Sequence, residues 1–172
     1  SPGSTAYAGG PPPLHPRRPV NTMHGDLTPS VQSEELARLG IRYLPPEHLC
    51  AMLAEGGRGR PPTFAVVDLR SYDYDGGHIR GSLHVPSSSI VVGGPALDQL
   101  IARISWASIV VFHCMISMHR APQCAKRYQE RLQEMGRQQQ VMILEGGYHL
   151  WKTLYGGDTF LIEDETANQQ LA

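Results

Sequence analysis

The chain has 172 residues, a formal net charge of −1 at pH 7 and 41% hydrophobic residues, enough for one domain with a substantial core and appended segments. That balance leaves no footprint for nucleic acid or a membrane surface, and the sequence contains neither an apolar run of spanning length nor a charged-then-apolar leader. Three irregularly spaced cysteines, Cys50, Cys114 and Cys124, exclude a disulfide framework and zinc-ligand spacing, so no metal is expected and a reducing, intracellular compartment (cytoplasm and/or nucleus) is.

Residues 1–40 read as a flexible Pro/Gly-rich N-terminal extension. Within it, Pro11 to Pro13 followed by Arg17 and Arg18 fit either a polyproline ligand or a plain solvated tail, and residues 33–40 read as a short helix stopped by Gly40. Residues 41–157 carry the domain. Residues 41–44 suit a first strand. Pro46 then opens a helix over residues 47–55 with Leu49, Met52 and Leu53 on one face and Cys50 beside it. Arg58 and Arg60 in the following loop either steer an acidic partner or are solvated. Residues 64–68 form a buried strand, residues 83–86 a short edge strand blunted by Pro86, and residues 96–105 an amphipathic helix. The β-branched and aromatic run 109–112 is the central strand. A helix with Pro122 in its first turn continues to about Met135, burying Ala121, Cys124, Ala125, Tyr128 and Leu132. Residues 141–144 are the last strand, and Glu145, Gly146 and Gly147 turn into a helix holding Tyr148, Leu150 and Trp151. Residues 158–172 read as a fraying C-terminal tail. Strands alternating with helices imply an α/β fold, an open, mostly parallel sheet with helices on both faces. Ligands in such sheets bind beyond the carboxyl ends of the strands, where Cys114 stands, with Asp68 and Glu145 at two other ends.

The chemistry concentrates between the central strand and its helix. His113 and Cys114 end the strand, and Arg120 follows five residues after the cysteine, at the mouth of the helix. Met115, Ile116, Ser117, Met118 and His119 form the intervening loop. Its amides, with the first free amides of the helix, can cradle a tetrahedral oxyanion and favour the thiolate of Cys114. The planar guanidinium of Arg120 suits bidentate contact with two oxyanion oxygens. Cys114 and Arg120 are therefore the candidate catalytic residues, and Met115 through Arg120 the candidate phosphate-binding loop.

Three separated stretches resemble one family. Val66-Val67-Asp68-Leu69-Arg70 through Gly77-His78-Ile79-Arg80-Gly81-Ser82, the His-Cys-x5-Arg loop with Ala121-Pro122, and Leu144-Glu145-Gly146-Gly147-Tyr148 look like the signature of the rhodanese fold. The resemblance is to its phosphatase-like branch: the mitosis-inducing dual-specificity phosphatases and their small single-domain relatives, which include eukaryotic arsenate reductases. It covers residues 41–157 and implies a rhodanese-like, five-stranded sheet. Sulfurtransferases of the fold have a six-residue loop; the seven-residue loop here, with Ser117 in it, matches the phosphatase-like branch. Many mitotic-type relatives carry a protective second cysteine where this chain has Leu69, and a glutamate where it has His119, so neither self-protection by that route nor the general acid is implied.

The mechanism implied is attack by the Cys114 thiolate on phosphorus, giving a phosphocysteine that water hydrolyses, with no cofactor. His113 either orients the loop and assists the thiolate or is a satisfied core histidine. Asp68 with Arg70 is a structural support rather than an acid. Asp73 and Asp75 are turn residues, Glu145 is a weak candidate acid, His78 is a structural hydrogen-bonder, and His119 is either a proton donor or a rim residue. Met115 and Met118 either give the loop an apolar rim or simply pack. The expected function is a protein tyrosine or dual-specificity phosphatase. The alternative is an arsenate or antimonate reductase that uses the same thiolate with glutathione or glutaredoxin as reductant. A sulfurtransferase and a catalytically silent binding module rank below both. The expected partners are a phosphorylated protein or a small oxyanion such as phosphate or arsenate, not nucleic acid or a membrane; the sequence carries no sign of oligomeric state.

Overall fold

The computed structural model describes residues 31–56 and 58–164. Seven strands occur in it: β1 (Arg42–Leu44), β2 (Phe64–Asp68), β3 (His78–Ile79), β4 (Leu83–His84), β5 (Ile109–His113), β6 (Gln140–Leu144) and β7 (Ile162–Glu163). Six helices accompany them: α1 (Val31–Arg38), α2 (Pro46–Gly56), α3 (Ser87–Val91), α4 (Pro95–Arg103), α5 (Arg120–Glu134) and α6 (Gly147–Tyr155). A five-stranded sheet runs in the order β1-β6-β5-β2-β4, every pairing parallel. No helix of the described residues is long and apolar enough to cross a membrane.

The strands read as apolar runs because both faces of the sheet are covered. Successive side chains alternate between two cores. Ala65, Val67, Val110, Phe112, Val141 and Ile143 face one, shared with α1, α3, α4 and α5. Phe64, Val66, Val111 and Leu144 face the other, with Leu49 of α2 and Tyr148 and Trp151 of α6. The inward stripe of α5 is the expected one, Ala121, Cys124, Ala125, Tyr128 and Leu132 all being buried.

Parts of both terminal segments are docked on the domain. Of the extension over 1–40, residues 1–30, including the proline run, lie outside the described residues, whereas α1 folds and buries Leu36 in the first core. Of the tail over 158–172, residues 158–164 are held and residues 165–172 lie outside the description. Here β7 pairs antiparallel with β3, Leu161 is buried, and the Trp151 indole donates to the Leu161 carbonyl at 3.4 Å. A two-residue ladder between strands so distant in sequence has no periodic signature for a sequence reading to detect.

Beneath the carboxyl ends of β2 and β5 lies a buried ion pair. The Arg70 guanidinium donates through Nε to both Asp68 oxygens at 3.0 Å and through Nη2 to Oδ2 at 2.7 Å, with both side chains fully buried. Arg70 also donates to the Gly77 carbonyl at 2.9 Å and lies over the Tyr148 ring at 3.9 Å. Removing one partner leaves the other buried and uncompensated. Arg70→Leu is expected to cost about 3–5 kcal/mol in urea unfolding, and adding Asp68→Asn to recover part of it; a single variant of wild-type stability would contradict the pair's structural role.

Candidate active site

The central strand β5 carries His113 to its end, and Cys114 follows with 2% exposure. The next helix, α5, begins at Arg120, so Met115 through His119 span the gap. Among the described residues, the amides of these five donate to no backbone carbonyl. Their direction follows from two hydrogen bonds at the head of α6. Tyr148 N–H donates to the Cys114 carbonyl at 2.9 Å and His149 N–H to the Met115 carbonyl at 2.8 Å. In a planar trans peptide the N–H points opposite the carbonyl. Tying these two carbonyls toward α6 therefore turns the Met115 and Ile116 amides away from it, toward the face to which the Cys114 side chain belongs.

The close approach depends on Gly147, which has φ 61° and lies where a Cβ would fall 2.6 Å from both carbonyl oxygens. No other residue fits there without moving the loop. The far side of the loop turns through Ser117, a non-glycine residue at φ 57° whose buried hydroxyl has no partner among the described residues. A left-handed serine is strained, and its buried hydroxyl keeps an unused donor.

Arg120 is held from outside the loop. Its Nη1 donates to Asp73 Oδ1 at 2.8 Å and its Nη2 to Asp73 Oδ2 at 2.5 Å. The Asp73 carboxylate is itself positioned by the Ser71 amide at 3.0 Å, and its backbone carbonyl accepts from Arg70 at 3.4 Å. The Arg120 guanidinium, foremost among the causes, holds the Asp73 carboxyl far below the usual carboxylate range. Arg120 carries five N–H donors, of which Asp73 engages two, so three remain for a ligand. Asp73, expected as a turn residue, is thus part of the site. Its place in the loop after β2, the strand paired with β5, was the available signal, but sequence does not tell which carboxylate of that loop faces the arginine.

Behind the loop, the His113 ring lies fully buried, with Nδ1 3.2 Å from the Cys114 carbonyl oxygen and Nε2 3.6 Å from Asp68 Oδ2. Burial pushes the imidazole below its ordinary range, partly opposed by the Asp68 charge, so it is neutral at pH 7. Burial alone would raise the Asp68 carboxyl, but His113 and the Arg70 fork outweigh it and hold it below the usual range.

The remaining candidates divide. Ile116, Met118 and His119 are exposed at the rim, whereas Met115 is half-buried and packs into the second core. The apolar rim is therefore Ile116 and Met118 rather than Met115 and Met118. Glu145 is exposed at the end of β6, and the His78 ring pairs with Glu163 at 3.1 Å. Cys124 is buried behind the loop, where desolvation pushes its thiol up to about 12. Among the described residues no group of three or more His, Cys, Asp or Glu side chains is placed to hold a metal ion.

Comparison with known proteins places this geometry in context. Residues 49–154 match the family described as "Rhodanese-like domain". The chain is 34% identical to the CDC25-like phosphatase YCH1 of Saccharomyces cerevisiae, over 69% of this chain and 86% of that protein. It is 36% identical to arsenate reductase 2.2 of Oryza sativa subsp. japonica, over 66% of this chain and 83% of that protein. Among solved structures, a yeast protein tyrosine phosphatase of the rhodanese family superposes with a TM-score of 0.65 at 29% identity, covering 76% of this chain and 96% of that one.

The buried histidine has a measurable consequence. Stability rises with pH wherever the unfolded chain binds more protons than the folded one. With its folded pKa depressed, His113 meets that condition below about pH 6.5, and Asp68 meets it below about pH 3.9. Unfolding free energy is expected to fall as pH drops through about 6.5, with His113 contributing up to about 1.4 kcal/mol per unit while the folded ring stays neutral. His113→Gln should remove that contribution in parallel urea titrations; an unchanged slope would show that folded His113 titrates as a free imidazole does.

Proposed function

Because the chain belongs to the rhodanese-like domain family, with relatives named as CDC25-like phosphatases and arsenate reductases, we propose that it is a cysteine-dependent phosphatase of the protein tyrosine or dual-specificity type. The observation that carries this reading is the loop itself: outward-tied carbonyls, inward-turned amides, a nucleophile at the floor and a fixed guanidinium at the mouth.

In the proposed reaction the Cys114 thiolate attacks phosphorus in line with the leaving oxygen, the P–O bond breaks, and phosphocysteine forms. Charge on the equatorial oxygens falls on the loop amides, the Ser117 hydroxyl and the three free donors of Arg120, the positioning and electrostatic contributions that dominate phosphoryl transfer. Water then cleaves the S–P bond. Asp73 is ionised and hydrogen-bonded to Arg120, so it positions the arginine and is not the proton donor. His119, exposed beside the loop, is the candidate for protonating the leaving group. The exposed Ile116 and Met118 side chains, with Tyr72 over Arg120, suit a phosphorylated aromatic side chain of a protein.

Arsenate reduction is the second reading, supported by relatives named for it and by the shared shape and charge of phosphate and arsenate. The loop can form a cysteine–arsenic bond, but reducing As(V) to As(III) consumes two thiol equivalents. Cys124, its thiol raised to about 12 by burial, is a poor internal source. An external thiol such as glutathione or glutaredoxin is then required, whereas phosphate ester hydrolysis needs only water.

Cys114→Ser is expected to lower kcat for para-nitrophenyl phosphate by on the order of a thousandfold or more, with the fold intact. Arg120→Ala should lose about a hundredfold in kcat/KM, and Asp73→Asn less than Arg120→Ala. The same preparation is assayed with phosphotyrosine peptide and with arsenate plus glutathione and glutaredoxin. Arsenite production without peptide hydrolysis would overturn the ranking, and turnover by the Ser variant would remove Cys114 from the mechanism.

A further inference from the structure

At the amino ends of the strands, the end of the sheet opposite Cys114, β2 has an open edge. It pairs with β5 along its whole length, from Phe64 to Asp68, but with β4 only at Val67 and Asp68. Among the described residues, Phe64, Ala65 and Val66 therefore have no strand paired with them on that side. A cavity of about 430 Å³ opens there, with Leu53, Leu83 and Ile104 in its lining. Trp106 and Phe160 stand at it 55% and 42% exposed; Arg80 lies over the Phe160 ring at 4.9 Å and donates through Nε to the Phe160 carbonyl, leaving the rest of that apolar surface open among the described residues. An adjoining concavity shares Gly56, Pro62 and Phe64 with it.

The side chains lining this cleft carry more positive than negative charge. Arg80 and Arg103 line the cavity, and Arg58 and Arg60 line its neighbour. Among the described residues none of the four forms an ion pair. Among the described residues three carboxylates approach: Glu55 lines the neighbouring concavity, Asp158 accepts from the Phe160 amide at 2.8 Å, and Glu163 is already engaged by His78 and the Gly81 amide. An unpaired strand edge recruits an extended backbone, pockets beside it take alternate side chains, and surplus arginines select carboxylates. A second copy of the chain would bring the same positive cleft against itself, which disfavours a two-fold contact here.

We infer that this cleft docks an extended acidic peptide segment of a partner protein, added as a strand along the free edge of β2 with apolar side chains seated against Trp106 and Phe160. The acidic side chains face Arg58, Arg60, Arg80 and Arg103. Such a site lets the protein hold a partner without engaging the Cys114 loop.

The test uses a fluorescein-labelled octapeptide of alternating glutamate and valine, read by fluorescence anisotropy against the full chain. Saturable binding is expected, weakened about tenfold or more by Arg103→Glu and by Trp106→Ala, and absent for the lysine–valine counterpart. Cys114→Ser and excess inorganic phosphate should leave it unchanged. Successive N–H groups of a strand point to opposite sides, so N-methylation at one alternate set of residues should abolish binding and at the other set spare it. Lack of binding, equal binding of the lysine peptide, displacement by phosphate, or tolerance of both methylated peptides would overturn the inference. So would a dimer in sedimentation that the glutamate–valine peptide dissociates, or binding that appears only once residues 165–172 are removed, since a second copy or the chain's own end would then be the occupant.

Discussion

Two backbone hydrogen bonds, from Tyr148 and His149 to the carbonyls of Cys114 and Met115, set the geometry on which the proposed chemistry depends. They cross the sheet's layers: α6 packs on one face, while Cys114 and α5 belong to the other. By drawing carbonyls toward itself, α6 presents the opposite ends of the same peptides to the cysteine side. In the proposed reading the backbone supplies the core of an anion site, to which Ser117 and Arg120 add side-chain donors, and its precision derives from helix packing rather than from the loop's own stiffness. Gly147 permits the approach, and the left-handed Ser117 closes the turn. Strain at one residue is tolerated because the rest of the loop is fixed from outside.

The second support arrives through charge. Arg70, buried and paired with Asp68, touches the Tyr148 ring of α6 on one side and the Asp73 carbonyl on the other. One guanidinium thereby links the helix that orients the loop amides to the residue that orients Arg120. Tyr148 adds a hydrogen bond from its hydroxyl to the Gly76 carbonyl at 2.9 Å, closing the ring between α6 and the loop after β2. A buried pair of this kind adds little net stability over an apolar substitute. Its value here is geometric, because the contiguous loop from Cys114 to Arg120 is oriented by two other stretches of chain, the head of α6 and the segment after β2.

Much of this was legible in the sequence because the governing patterns are local. The apolar runs at β2, β5 and β6, the stripe of α5, and the His-Cys-x5-Arg spacing each declare themselves within a few residues. Elements depending on distant partners did not. The ladder between β3 and β7 pairs only His78 with Glu163 and Ile79 with Ile162, too short for alternation to show. The five-residue α3 is too short to show a period. Asp73 was visible only as a turn former, because its role comes from the register that sets β2 beside β5. Tyr148 and Gly147 were readable as helix start and family signature, but not as the source of the loop's orientation, which is a tertiary relation. The Met115 side chain went into the core because the peptide turned by α6 leaves it facing that way.

The central claim is that the loop amides converge on an anion at Cys114, and a crystal structure of the protein with orthovanadate addresses it most directly. Vanadium is expected bonded to the Cys114 sulfur, its equatorial oxygens accepting from the Met115 and Ile116 amides and from Arg120, with the Tyr148 and His149 hydrogen bonds intact. Vanadate bound elsewhere, or bound at Cys114 with those two amides pointing away from its oxygens, would contradict it.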